Sequence, residues 1–174
     1  MKRLTLLRHA KSSWDDATLD DFDRPLAPRG RRSAPEMGRR LKSREEVPDL
    51  VVSSPARRAI TTARMACREM SYPESRIIEE PGLYHASAGR IFELVGSPET
   101  LAPHLMIVGH NPGFTDFANA LADARIDNLV TAGVFDVEFD LEYWTELESG
   151  AGRFVYYDYP RTERGRPYTA EELA

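Results

Sequence analysis

Apolar positions in this chain fall into short runs separated by helical stripes. Residues 3–7 are an apolar run bounded by charge, the pattern of a short buried strand. The same reasoning predicts strands at 49–54, 76–80, 104–110, 133–140 and 153–159. The segment "HLMIVGH" (104–110) is continuously apolar inside, whereas "GVFDVEFD" (133–140) alternates as a half-buried strand does. Between the strands the spacing becomes helical. Ala34, Met37 and Leu41 share a face within 30–44, and Ala59, Ala63, Ala66, Cys67 and Met70 share one within 56–70. Ile91, Phe92 and Val95 do so in 88–95, and Phe114, Phe117, Ala118 and Leu121 in 112–122. Residues 10–28 form a polar, proline-containing loop.

Strands alternating with helices predict an α/β protein, a three-layer α/β/α sandwich around a mostly parallel sheet. The last two strands follow each other without a helix, which predicts an antiparallel edge. The reading is one domain over 1–174, with 160–174 as a polar C-terminal tail. Composition changes this picture little: of 174 residues 41% are hydrophobic and 29% charged, ordinary for a globular protein. A net charge of −5 and a pI near 5.4 argue against a nucleic-acid binder driven by phosphate contacts. No apolar run approaches the roughly 20 residues of a membrane span. The opening "MKRLTLLRHAK" is too short and too charged for a secretory leader, so a cytoplasmic protein is expected. Cys67 is the only cysteine, which excludes an intrachain disulfide and a thiolate metal cluster.

Ligands of open α/β sheets bind beyond the carboxyl ends of the strands. After the first strand come Arg8 and His9. After the second comes "SSPARRAITTA", with Arg57 and Arg58, and after the fourth "GHNP", with His110. Two histidines and two or three arginines therefore gather at one sheet edge. That set suits a phosphate, because guanidinium groups offer forked donors to its oxygens.

"LLRHAKS", "SSPARRAITTA" and "VGHNP", in this order and each after a predicted strand, resemble the histidine phosphatase superfamily, whose best-known branch is the phosphoglycerate mutases. The short chain and "RHAKSSW" look closest to the SixA-type phosphohistidine phosphatases. The resemblance covers roughly residues 3–120 and implies a phosphoglycerate mutase-like fold. By it, His9 matches the nucleophile that takes the phosphoryl group, and Arg8 the arginine binding the same phosphate. The pattern S-S-P-x-x-R-A selects Arg58 over Arg57, and His110 matches a second, phosphate-binding histidine. The implied mechanism is phosphohistidine formation on His9 followed by hydrolysis, without metal or other cofactor.

Elementary chemistry agrees. A histidine near its ordinary pKa of about 6.5 is largely neutral at pH 7 and can attack through one nitrogen. The other nitrogen must donate to an acceptor, and a backbone carbonyl of the nearby loop is expected. Arg8, Arg58 and a protonated His110 would offset charge on the phosphoryl oxygens, the help phosphoryl transfer needs most.

Two departures from the family pattern stand out. Ala10 replaces the glycine of R-H-G. The carboxylate expected after the third strand, near L-x-E, is absent from "GLYHAS", and His85 stands in its place. An alkoxide leaving group needs a proton donor, whereas a phosphoramidate leaves as imidazole and needs it less. Asp15, Glu79 or Glu80 could supply a proton from elsewhere, and His85 and Asp15 are candidate substrate contacts. The expected substrate is therefore phosphohistidine on a phosphotransfer protein. The alternatives are a phosphatase of small phosphomonoesters or other phosphoramidates and, in a different class, a non-catalytic phosphate-binding module.

Other residues have plainer readings. Arg57 is a solvated or substrate-facing charge, and Arg29, Arg31, Arg32, Arg39, Arg40 and Lys42 form a solvated helix face. Trp14 and Phe22 are packing anchors of a loop that could form a pocket wall. His104 is structural and Cys67 a small buried hydrophobe. "DFDRP" (21–25) looks like an aspartate-nucleophile motif, but no buried strand precedes it.

Overall fold

The computed structural model describes residues 1–161, 168, 169 and 172. Its elements run β1 (Lys2–Arg8), α1 (Pro28–Ser43), β2 (Leu50–Ser53), α2 (Arg57–Met70), β3 (Ile78–Glu79), α3 (Ala88–Val95), β4 (His104–Gly109), α4 (Gly113–Leu121), β5 (Val134–Phe139) and β6 (Arg153–Asp158). The strands form one sheet in the order β3-β2-β4-β1-β5-β6. β3, β2, β4 and β1 are mutually parallel, while β5 runs antiparallel to β1, and β6 to β5. The expected mostly parallel sheet with an antiparallel edge is found.

The central strands are apolar on both faces because helices cover both. Leu4 and Leu6 of β1 and Leu105 and Ile107 of β4 face the core that also holds Ile91, Phe114 and Phe117 of α3 and α4. Leu7, Met106 and Val108 face the opposite core with Met37 and Leu41 of α1 and Ala63 and Cys67 of α2. α1 and α2 pack closely: a Cβ on Gly38 would lie 2.4 Å from the carbonyl oxygen of Ala66. The start of α1 abuts the loop after β1 in the same way, since a Cβ on Gly30 would lie 2.2 Å from the Lys11 carbonyl oxygen.

Some expectations need correction. The third strand is only Ile78–Glu79, because Glu74–Arg76 winds into a short 3-10 turn first. Arg40 is not a solvated charge: it donates to Asp158 at 2.9 Å and to Glu36 at 2.8 Å, clamping α1 to the end of β6. Of the tail, Tyr168 bridges to Tyr157. Residues 162–167, 170, 171, 173 and 174 lie outside the described residues. Cys67 is buried as expected, and burial pushes its thiol up to about 12. His104 opens β4 with Nε2 2.8 Å from Thr5 Oγ1. No helix among the described residues is long and apolar enough to cross a membrane.

Candidate active site

The carboxyl ends of β1, β2 and β4 deliver three polar segments to one place. β1 ends at Arg8, and the backbone N–H of His9 still donates to Gly109 of β4 at 3.0 Å, so the ladder itself fixes where the imidazole starts. His9 is buried, and its Nδ1 lies 2.8 Å from the Ala10 carbonyl oxygen. A carbonyl only accepts, so Nδ1 carries the proton and Nε2 keeps the lone pair. That is the tautomer a nucleophile needs. Ala10 N–H in turn donates to Thr62 of α2 at 3.0 Å, which holds the carbonyl in place. Burial foremost, with Arg58, Arg8 and Arg24 alongside, pushes the His9 ring down to about 4. It is neutral at pH 7 by a wider margin than an ordinary histidine.

His110 follows β4. Its ring centroid lies 5.2 Å from that of His9, and its Nε2 is 2.7 Å from Ser54 Oγ in the loop after β2. Its Nδ1 has no partner among the described residues. Burial, then His9, Arg58 and His85, push this ring down to about 3. The expected protonated His110 is thus corrected: burial first, with Arg58 beside it, keeps the ring neutral unless an anion offsets them.

Arg8 donates from Nη1 to the Leu129 carbonyl oxygen at 2.9 Å, and the same oxygen accepts from Asn111 at 3.0 Å. Burial, with Arg58 nearby, lowers its pKa, a sign of crowded positive charge. Arg58 lies in the first turn of α2 and is buried, whereas Arg57, which opens the helix, is exposed. Helix periodicity turns one inward and the other out.

Arg8, His9, Lys11, Ser12, Trp14, Arg24, Arg58 and Thr131 line a cavity of about 200 Å³. His110, its ring 5.2 Å from that of His9, lies next to this cavity and is not among the residues lining it. A larger cavity of about 290 Å³, mostly apolar, lies apart beneath α3 against β2 and β3. Among the described residues no cluster of His, Cys, Asp and Glu has the makings of a metal site.

The other candidates divide. His85 sits at the site's margin, exposed, with positive φ, its ring tilted 39° to that of Tyr84 with centroids 3.9 Å apart. Asp15 is exposed and does not line the cavity. Glu79 faces Arg64 across 3.8 Å on the outer edge of the sheet. Glu80 accepts from Gly82 N–H at 2.8 Å and caps a local turn. Neither glutamate reaches the cavity.

Besides Lys11, Ser12 and Thr131 of the lining, two residues at the site were missed, both inside "DFDRP". Arg24 is buried, donates to Ser12 Oγ and to Ser13 O, and lies with its guanidinium carbon 3.3 Å from the centre of the Trp14 ring. Trp14 is 72% exposed, so it is a wall of the cavity and not a packing anchor. Asp21 accepts from Arg58 Nη2 at 3.0 Å, Arg24 Nη1 at 3.0 Å and Tyr84 OH at 2.5 Å. The available signal was a loop carrying Arg24 and Asp21 three residues apart, directly after the motif holding His9.

A neutral histidine with a fixed tautomer, ringed by three buried or half-buried arginines, can receive a phosphoryl group. The comparisons point the same way. The family model of the histidine phosphatase superfamily (branch 1) matches residues 4–97. A Mycobacterium tuberculosis protein is 31% identical over 164 residues, spanning 89% of this chain and 100% of the relative. A chloroplastic protein of Arabidopsis thaliana is 33% identical over 135 residues, 72% of this chain, and the match spans 61% of that relative's length. The structure of the protein histidine phosphatase SixA complexed with tungstate superposes with a TM-score of 0.76 at 22% identity, covering 91% of this chain and 97% of that one. From its motifs, its matched residues and its fold, the chain belongs to the histidine phosphatase superfamily, branch 1.

Proposed function

We propose that the protein is a phosphatase that hydrolyses phosphohistidine on a phosphotransfer protein, through a phosphoryl group carried on its own His9. The observation that carries this is the 2.8 Å bond from His9 Nδ1 to the Ala10 carbonyl, which leaves Nε2 as the unprotonated nitrogen. In the first step Nε2 attacks phosphorus and the bond to the substrate's imidazole breaks, its electron pair leaving with that ring. In the second, water attacks the phosphoryl group on His9 and the P–N bond breaks back to Nε2. Arg8, Arg24 and Arg58 supply the positive charge for the phosphoryl oxygens, and His110 can donate once the anion offsets its neighbours. No step calls on a metal.

The substrate class rests on the leaving group. The segment after β3 presents His85 where an acid is expected, and Glu79 and Glu80 are engaged elsewhere. A phosphoimidazole whose other nitrogen carries a proton releases a neutral ring without further proton donation, whereas an alkoxide needs a donated proton. The likeness to SixA in fold supports the same class. Small phosphomonoesters with good leaving groups remain the second reading, favoured by the confined cavity of about 200 Å³.

The test compares rates on a panel of phosphohistidine proteins with those on phenyl and alkyl phosphates. Phosphohistidine should be fastest, alkyl esters slowest, and acid-labile phosphate trapped in a rapid quench should map to His9. His9→Ala should lose turnover while its melting temperature stays near wild type. A preference for alkyl phosphates would replace this reading with the small-molecule phosphatase, and phosphate binding without turnover on any substrate would replace it with the binding module.

A further inference from the structure

The first loop brings a carboxylate to the rim of the phosphate cavity. Asp21 lies in the one-turn 3-10 segment Asp21–Asp23 and joins three segments: its own loop, α2 and the turn after β3. Its Oδ2 accepts from Arg58 of α2 and from Tyr84 of the turn after β3, and its Oδ1 accepts from Arg24 of its own loop. Its backbone carbonyl accepts a second bond from Arg58 Nη1 at 2.7 Å, so both terminal nitrogens of that guanidinium are engaged by one residue. His85 Nε2 stands 3.9 Å from Oδ2, so this carboxylate lies beside the residue found where the family pattern expects an acid.

Position alone would suggest that Asp21 replaces the missing acid. Its hydrogen bonds argue otherwise. A proton donor must be protonated at working pH. Burial works towards protonation here, but hydrogen bonds from Tyr84, Arg58 and Arg24 outweigh it and hold the Asp21 carboxyl down at about 2. Oδ2 already takes two donors and Oδ1 one, all aimed at the charged form.

We propose that Asp21 is a positioning residue that fixes the guanidinium planes of Arg58 and Arg24 for the transition state and takes no part in proton transfer. This rests on the phosphatase reading. The consequence is a split between binding and rate. In the ground state the Asp21 charge competes with phosphate for Arg58, and removing it frees donors and relieves repulsion. In the transition state the oxygens need the two guanidinium groups at fixed positions, and a freed arginine must be ordered during the reaction.

Asp21→Asn tests this with two readouts on the full chain. Calorimetry with inorganic phosphate should show affinity tighter than wild type by several-fold. Turnover of substituted phenyl phosphates should fall about 10-fold or more, by the same factor whatever the leaving-group pKa, with the pH profile unchanged in shape. Tyr84→Phe, which removes one donor and no charge, should lower kcat less and leave phosphate affinity as it was. Loss confined to poor leaving groups would make Asp21 a proton donor and overturn the proposal. Unchanged kcat would overturn it too, as would affinity and kcat falling together, the mark of a merely loosened site. If the wild type bound phosphate but hydrolysed nothing, the phosphatase reading would fail by itself. The affinity comparison would then decide the Asp21 claim: tighter binding upholds its competition for Arg58, equal or weaker binding overturns it.

Discussion

Arg57 and Arg58 are neighbours in sequence and opposites in the fold, so they are a sharp probe of the site. Arg58→Ala should lower kcat/KM by about 10²–10³-fold, the scale of losing one preorganised charge-stabilising donor. Among the described residues Arg57 reaches only the Asp23 carbonyl, at 3.4 Å, and Arg57→Ala should change kcat/KM by less than about 3-fold, the effect of a peripheral exposed charge. Steady-state kinetics on the two variants checks both. The histidine nucleophile makes a second prediction. His9 attacks when neutral, and a ring held down at about 4 is neutral at all higher pH. After correction for substrate ionisation, the acid limb of kcat/KM should fall near pH 4 and not near 6.5. At this scale the sequence was legible where residue type and chemistry coincide: Arg8, His9, Arg58 and His110 all reach one sheet edge. Asp21 and Arg24 were hidden because their roles come from a loop folding back over α2, a contact across 37 residues between Asp21 and Arg58 that no periodicity announces.

Elements were legible in proportion to their burial. β1, β4 and the four helices carry strong apolar patterns. β3, two residues at an exposed edge, has almost no pattern to read. The strand order also followed from no local signal, since it depends on which faces the helices cover. Gly30 shows how an element can set the site from outside it. The start of α1 presses on the backbone of Lys11, two residues from His9, where only glycine fits. Gly30→Ala should cost about 1–3 kcal/mol, as overpacking does, and should also depress kcat by shifting the loop that holds the Ala10 carbonyl. Denaturant unfolding and kinetics on the same sample check this; a stability loss with kcat intact would separate the loop from the site.

For the whole molecule, the buried His9 and His110 and the half-buried His104 set the response to acid. His9 and His104 are held at about 4 and His110 at about 3, in each case by burial first. The unfolded chain protonates these rings near 6.5, while the folded one does not until the pH is far lower, so protons favour unfolding across that window. Their contribution to stability is present above about pH 6.5 and is lost as pH falls through the folded values. Asp136 works the other way: burial lifts it to about 6, so its protonation between about 6 and 3.8 favours the folded state. Three groups outweigh one, and the melting temperature should fall steadily from pH 7 to 4.5. A flat profile in calorimetry would contradict this.

The strand order has a consequence for a chain that is still being made. β1 and β2, which carry Arg8, His9 and the approach to Arg58, are not neighbours, because β4 lies between them. During synthesis from the N-terminus, the slot between them stays unfilled until residues 104–109 emerge. His9 then gains its backbone anchor on Gly109, and His110 arrives with the same strand. A nascent chain stopped before residue 104 therefore holds the nucleophile and its arginines on strands that no backbone ladder yet joins. The phosphate site comes into being in one late insertion, so incomplete chains should be inert toward phosphorylated proteins.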